Sequence, residues 1–279
     1  VLVQPEKEKN NVSNSDLAGS WALILGASSG FGEANALKLS SLGVNIIGVH
    51  LDRKATLPNV ERIREQIKKS GAESLYFNVN AAGHEERESV LDQIQEHLGE
   101  SANGAVRILL HSLAFGTLKP YIADEEKDAI SPRQLEMTLD VMANSLVYWS
   151  QALVRRGLMG FGGRIYAMTS AGGHRIWKTY GAVSAAKAAL ESHIRQLAVE
   201  LAPRGITANS IQAGVTDTPA LRKIPGNAEM IEGTKKINPH GELTTPQKVA
   251  DAIATLATSG TQWMTGDLIR VDGGEDIAG

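Results

Sequence analysis

The 279-residue sequence contains no cysteine. Disulfides, thiolate metal sites and cysteine nucleophiles are therefore excluded together. Neither sign of charge is in excess, because 28 Lys and Arg face 31 Asp and Glu for a formal net charge of −3. Such a balance gives no whole-chain case for nucleic acid or for a membrane surface. The apolar runs are broken by glycine and charge well short of the ~20 residues that a membrane span needs. No secretory signal, low-complexity tract or fixed-period repeat is visible. A soluble, cytoplasmic protein without nucleic-acid or membrane partners is the expectation.

What the sequence does have is alternation. Residues 1–15 are polar and aperiodic and read as a flexible leader, and 16–279 read as a single domain. Short apolar runs at 21–25, 44–49, 74–78, 106–111, 164–169, 207–212 and 267–271 predict strands. Between them, helical periods cover 32–41, 58–69, 85–98, 132–158, 180–201 and 246–258. Leu135, Leu139, Met142, Leu146, Trp149 and Leu153 form one buried stripe. Val183, Leu190, Ile194, Leu197 and Leu201 form another. Strand–helix alternation with near-continuous apolar strands predicts an α/β fold. Its form is a Rossmann-like, doubly wound parallel sheet of about seven strands with helices on both faces.

Between the first strand and the first helix lies Gly26-Ala27-Ser28-Ser29-Gly30-Phe31-Gly32. Glycines let backbone approach a phosphate, and the helix N-terminus adds N–H donors and a positive dipole end. The same residues satisfy Gly-x-Ser-x-Gly, the nucleophile elbow of α/β hydrolases, with Asp217 and His240 as nominal partners. Only one strand precedes this loop, which weighs against the hydrolase. At the end of the second strand, His50 stands about where a ribose-binding acid would sit, and Asp52, Arg53 and Lys54 follow. Arg53 points toward NADPH, and Asp52 leaves NADH open.

Ser170 ends a strand, and Tyr180 and Lys187 follow in or near a helix. A lysine ammonium near a phenol favours the phenolate and lowers its pKa, and it also hydrogen-bonds a cofactor ribose. The phenol then donates to an oxygen that becomes negative during hydride transfer.

With these residues the sequence resembles the short-chain dehydrogenase/reductase superfamily over essentially 17–273. The resemblance rests on Gly26-x3-Gly30-x-Gly32, Asn78-Val79, Ser170, Lys187 and Val271-Asp272-Gly273-Gly274. Three departures narrow it. The usual Tyr-x3-Lys places Val183 where the tyrosine belongs, and the tyrosine stands one turn earlier as Tyr180-x6-Lys187. His111-Ser112-Leu113-Ala114-Phe115 replaces Asn-Asn-Ala-Gly, and Gln212-Ala213-Gly214 replaces Pro-Gly. All three resemble the enoyl-acyl-carrier-protein reductases, specifically the NADPH-linked branch that keeps the ordinary glycine loop.

That resemblance implies reduction of an enoyl thioester by NAD(P)H, in the manner of fatty-acid synthesis. A carbonyl or 3-oxoacyl reductase is the alternative, and a non-catalytic nucleotide-binding protein the remote one. It implies catalytic roles for Tyr180, Lys187 and Ser170. The cofactor would lie along Gly26, Ser28, Ser29, Gly30, Phe31, Gly32, His50, Arg53, Asn78, Val79, His111, Ser112, Leu113 and Thr169. Tyr180, Lys187, Gly214, Val215 and Thr216 complete that set. It further implies a substrate loop at about 215–240, an acyl chain delivered on a carrier protein, and a homotetramer paired through the two long helices. The apolar residues of 220–240 suit a lid. Arg222, Lys223, Lys235, Lys236, His174, Arg175 and Lys178 are cations suited to an acidic carrier or equally to a solvated face. Met142 holds the position of the family's relay asparagine, which leaves Asn144 as a weak substitute. Ser184 reads as packing, and His111, His174 and His193 lack metal spacing.

Overall fold

The computed structural model describes residues 14–279. The expected leader lies outside the described residues except for its last two, which open the short 3-10 turn Asn14–Leu17. Seven parallel strands follow: β1 (Trp21–Leu25), β2 (Asn45–His50), β3 (Ser74–Asn78), β4 (Val106–His111), β5 (Arg164–Ser170), β6 (Thr207–Ala213) and β7 (Leu268–Val271). Their spatial order is β3-β2-β1-β4-β5-β6-β7, the doubly wound sheet that the sequence predicts. The order in which successive strands are added reverses between β1 and the parallel β4, where Leu25 lies beside His111. Crossovers leave in opposite directions there, and a crevice opens at the strands' carboxyl ends.

Side chains alternate across the sheet and build two cores. Leu23, Leu25, Ile47, Val49, Leu109, Ile165 and Ala167 face one side. There they meet α3 (His84–Leu98), α4 (Pro132–Leu139), α5 (Ser145–Arg155) and α6 (Gly181–Leu201). Ala22, Ile24, Ile46, Ile108, Leu110, Tyr166 and Met168 face the other. They are covered by α1 (Gly30–Ser41), α2 (Leu57–Lys69) and α8 (Pro246–Leu256). β6 carries the polar Asn209, Ser210 and Gln212 in a fully buried strand. Asn209 is satisfied by donating to the Met264 carbonyl and accepting from the Asp267 N–H, as a buried amide requires.

Local chemistry sets the helix boundaries. Ser131 opens α4 with a reciprocal capping box to Gln134, and Pro132 sits at its start. The single helix expected over 132–158 is divided by a π-helical turn at Asp140–Asn144. This turn swings Met142 into the interior while Ser145 restarts the α-helical ladder as α5. The apolar stripe survives the insertion, and for that reason the break left no mark on the periodicity. The stretch expected as a loop at about 215–240 contains the helix α7 (Asn227–Ile237). The chain ends in the short helix α9 (Glu275–Ala278).

Trp149 is fully buried at the centre of the first core, and its indole N–H donates to the Ala81 carbonyl at 2.8 Å. Truncation removes that volume and orphans the carbonyl. Trp149→Ala is expected to cost about 3–5 kcal/mol of folding stability, read by denaturant titration. A loss below about 1 kcal/mol would contradict this packing.

Candidate active site

The crevice at the strand ends is a cleft of about 1220 Å³. One end is built from the β1–α1 turn. Gly26 has φ +90, and a side chain there would strike the Ser112 carbonyl oxygen at 2.5 Å. Gly32 lies against the Gly26 carbonyl, and no Cβ fits between them. The chain is thereby folded tightly enough to aim the α1 N-terminus into the cleft, where Ser28, Ser29, Gly30 and Phe31 line the wall. This is a cradle for a diphosphate, and the donor set fits one. The hydrolase reading fails on placement. Asp217 is exposed and ion-paired with Arg222, and His240 lines a separate cavity.

At the end of β2 the structure revises the expectation. Arg53 is exposed and does not line the cleft, whereas Asp52 does. Burial opposes ionisation of Asp52, but hydrogen bonds from Ser28, Thr56 and His50 outweigh it and hold the carboxyl below its usual range. His50 lines the cleft and meets Asp52 through Nδ1 at 2.9 Å. Asn78 is drawn away from the cleft, its amide clasping the backbone of Asp52 at 2.8 and 3.0 Å. Val79 remains on the wall. Arg62 also lines the cleft, tied to Glu33 and Asn59. Its cation lies 12 residues along from the strand end, a separation that sequence spacing alone could not close.

The other end gathers Ser112, Leu113, Thr169, Ser170, Tyr180, Lys187, Gly214, Val215 and Thr216 on the same cleft. Tyr180 is the N-cap of α6 rather than a helical residue, and its carbonyl accepts the Ser184 N–H at 2.8 Å. Thr179, immediately before it, has φ +66 and is the one non-glycine with positive φ among the described residues. Strain at a β-branched residue beside a reactive side chain is a functional signature. It turns the chain so that Tyr180 packs edge-on against Trp177 with ring centroids 5.8 Å apart.

The charge state of the phenol also differs from expectation. Burial raises the Tyr180 pKa, and the Ser170 hydroxyl is the group that opposes it. Lys187 exerts its pull elsewhere: its Nζ donates to the Met168 carbonyl at 2.6 Å, and the side chain is buried. Burial lowers its pKa to about 8, with the Glu191 carboxylate opposing. Glu191, one turn further along α6, accepts from the Thr169 hydroxyl at 2.6 Å. The i,i+4 spacing of Lys187 and Glu191 is the signal that would have found it. Tyr180 is thus held neutral.

His111 is fully buried beneath the site and does not line it. Its Nε2 meets the Ser145 hydroxyl at 2.9 Å. Burial and the nearby Lys187 lower its pKa to about 3. Met142 and Val183 form apolar cleft wall, while Asn144 is turned to His193 at 3.2 Å and takes no part. Leu221, Ile224, Met230 and Ile237 from the turn after β6 and from α7 close over the cleft. Of the expected cations, Arg222, Lys235 and Arg175 are paired with Asp217, Glu232 and Asp276. Among the described residues no group of three His, Asp or Glu is placed to hold a metal, and no helix is long and apolar enough to cross a membrane.

A glycine cradle at the switch point, a neutral tyrosine at a helix cap and a buried lysine within that helix define an NAD(P)H-dependent oxidoreductase of the short-chain dehydrogenase/reductase class. The family model described as Enoyl-(Acyl carrier protein) reductase matches residues 26–275, and the chain belongs to that family. It is 31% identical to an NADPH-dependent aldehyde reductase-like protein of Arabidopsis thaliana, over 92% of this chain and 94% of that one. It is 30% identical to the 3-oxoacyl-acyl-carrier-protein reductase of Pseudomonas aeruginosa, over 92% and 98%. Among solved structures, the NADH enoyl-acyl-carrier-protein reductase of Aquifex aeolicus superposes with a TM-score of 0.80 at 26% identity, covering 94% of this chain and 98% of that one.

A buried base held neutral makes stability depend on pH. His111 binds a proton near pH 6.5 when unfolded and only near 3 when folded. Its contribution is therefore complete above pH 6.5 and is lost as pH falls toward 3. The unfolding free energy is expected to decline by several kcal/mol across that window, and less steeply in His111→Asn. Equal slopes in the two proteins would remove His111 as the cause.

Proposed function

We propose that this protein reduces the C2–C3 double bond of an enoyl thioester with hydride from a nicotinamide dinucleotide. The observation that carries this reading is the pair Tyr180 and Val183. The apolar Val183 lines the cleft where Tyr-x3-Lys enzymes carry their phenol, and the phenol sits at the cap one turn earlier. Three helical residues span about 4.5 Å. That is the scale separating a β-carbon that receives hydride from the thioester oxygen on which charge then develops.

When bound, the reduced nicotinamide supplies the hydride. Tyr180, kept protonated by burial, would donate a hydrogen bond to the enolate oxygen and keep its proton, while C2 takes a proton from solvent to complete the saturated thioester. Lys187 presents its ammonium to the ribose, and its Met168 contact fixes where that charge stands. Met142, Val183, Leu221, Ile224 and Met230 supply an apolar wall for an acyl chain. An acyl chain carried on coenzyme A or on a carrier protein would pack against these residues.

On the dinucleotide, the geometry favours NADH over the NADPH expected from Arg53. The ionised Asp52 suits a ribose diol and repels a 2′-phosphate. Carbonyl reduction is the second reading, and one observation favours it: the Ser170 hydroxyl stands beside the Tyr180 phenol.

Purified protein is expected to oxidise the dinucleotide with crotonyl-CoA and not with acetoacetyl-CoA; the reverse selects the carbonyl reading. Tyr180→Phe is expected to lower kcat by about 100-fold or more while dinucleotide affinity, read by fluorescence titration, stays within about threefold. Near-normal turnover in that variant would remove the phenol from the mechanism. Asp52→Ser is expected to shift the NADH/NADPH ratio of kcat/KM toward NADPH by at least about tenfold. An unchanged ratio would assign cofactor choice to another residue.

A further inference from the structure

After β7 the chain runs Asp272-Gly273-Gly274-Glu275-Asp276. Gly273 and Gly274 have φ +65 and +83, and the reversal that they permit folds the terminus back over the carboxyl ends of β6 and β7. The buried Asp272 carboxylate holds the reversal by accepting from the N–H groups of Gly274 and Asp276 at 2.9 and 3.1 Å. Two further carboxylates are thereby turned inward onto the cleft, where both Glu275 and Asp276 line the wall.

Each carboxylate holds a different loop. Both oxygens of Glu275, which is 7% exposed, accept the Val215 N–H, at 3.1 and 3.0 Å. Val215 belongs to the Gly214–Thr216 turn that walls the cleft after β6. Gly214 has no room for a side chain between Thr244 and Glu275. Asp276 instead reaches the segment between Ser170 and Tyr180: its Oδ1 meets Arg175 Nε at 2.8 Å and His174 Nε2 at 3.1 Å. Its Oδ2 accepts from Gln212 at 3.0 Å and from Arg270 at 3.2 Å. Asn238, just past α7, donates to the Asp272 carbonyl at 2.9 Å.

Charge is arranged to match. Burial opposes ionisation of Asp276, but hydrogen bonds from Gln212, His174 and Arg270 outweigh it and hold the carboxyl at about 2. Burial lifts the Glu275 carboxyl above its usual range, with Asp272 and Asp276 adding to the rise and the Val215 N–H and Arg175 opposing it. A buried carboxylate satisfied by one N–H is costly to keep. A plain surface tail would not carry it.

We infer that the terminal carboxylates are positioning residues with separate duties: Glu275 sets the Gly214–Thr216 wall for the dinucleotide, and Asp276 sets the Arg175 segment that leads into Tyr180. The inference rests on dinucleotide binding in this cleft and on Tyr180 as donor. It does not depend on whether the acceptor is an enoyl or a carbonyl group.

The test separates affinity from turnover. Full-length variants would be titrated with reduced dinucleotide by fluorescence and then assayed at saturating dinucleotide with whichever of crotonyl-CoA or acetoacetyl-CoA the parent protein reduces. Glu275→Ala is expected to weaken dinucleotide affinity about tenfold, and Glu275→Gln, which keeps an oxygen for the Val215 N–H, to recover most of that loss. Asp276→Asn is expected to lower kcat about tenfold with affinity within about threefold. If Glu275→Ala does not fold, the Gln and Asn variants still separate the two duties. Parallel changes in affinity, kcat and thermal midpoint in all variants would reduce the turn to a structural clip and overturn the inference. Unchanged affinity in Glu275→Ala would do so as well. Failure of both thioesters with the parent protein would overturn the proposed reaction instead, leaving the affinity arm intact.

Discussion

The site depends on how α6 begins. Tyr180 and Lys187 come from one stretch of chain, yet only Lys187 is helical; the phenol hangs from the cap, where the strained Thr179 turns the chain. Lysine is inserted into the interior and anchored on the Met168 carbonyl of β5. The helix therefore cannot slide along the sheet without unpairing a buried ammonium, a loss of several kcal/mol. The cap in turn fixes the distance between phenol and ammonium. Everything that distinguishes this cleft from one built on Tyr-x3-Lys follows from that arrangement, including the vacated position filled by Val183.

Around this helix the sheet does the coarse placement. The reversal between β1 and β4 opens the crevice, and the close contacts of Gly26 and Gly32 bring the α1 N-terminus to its edge. The π-helical turn at Asp140–Asn144 adjusts the facing helix by carrying Met142 onto the cleft wall and leaving Asn144 with His193. Cofactor cradle, donor and apolar wall thus belong to three different units. The turn at 272–276 touches the Gly214–Thr216 wall through Val215 and the segment leading into Tyr180 through Arg175.

Much of this was legible in the residues. The strands 21–25, 74–78 and 106–111 coincide with β1, β3 and β4, because buried parallel strands are short apolar runs bounded by turns. The glycine loop and the Tyr–Lys spacing located the cleft. What escaped was tertiary. Helix 132–158 looked continuous because one inserted residue leaves an apolar stripe nearly in phase. Arg53 looked like a phosphate ligand because spacing says nothing of direction, and the Asn78 clasp on Asp52 joins residues far apart in sequence. Glu275 and Asp276 were not singled out, since nothing local announces that two glycines will fold them inward. The Tyr180 pKa moved opposite to expectation because burial, invisible in a sequence, raises it, while Lys187 is turned to the Met168 carbonyl.

The proposed arrival of hydride at C3, three bonds removed from the oxygen on which charge collects, is the step on which the reading turns. It is tested most directly by reducing crotonyl-CoA with dinucleotide deuterated at the transferring position and locating the label in the butyryl product by NMR. The account predicts deuterium at C3 and solvent-derived hydrogen at C2. No labelled butyryl product from crotonyl-CoA, with deuterium instead on the carbinol carbon when acetoacetyl-CoA is supplied, would contradict it and make Tyr180 the donor of a carbonyl reductase.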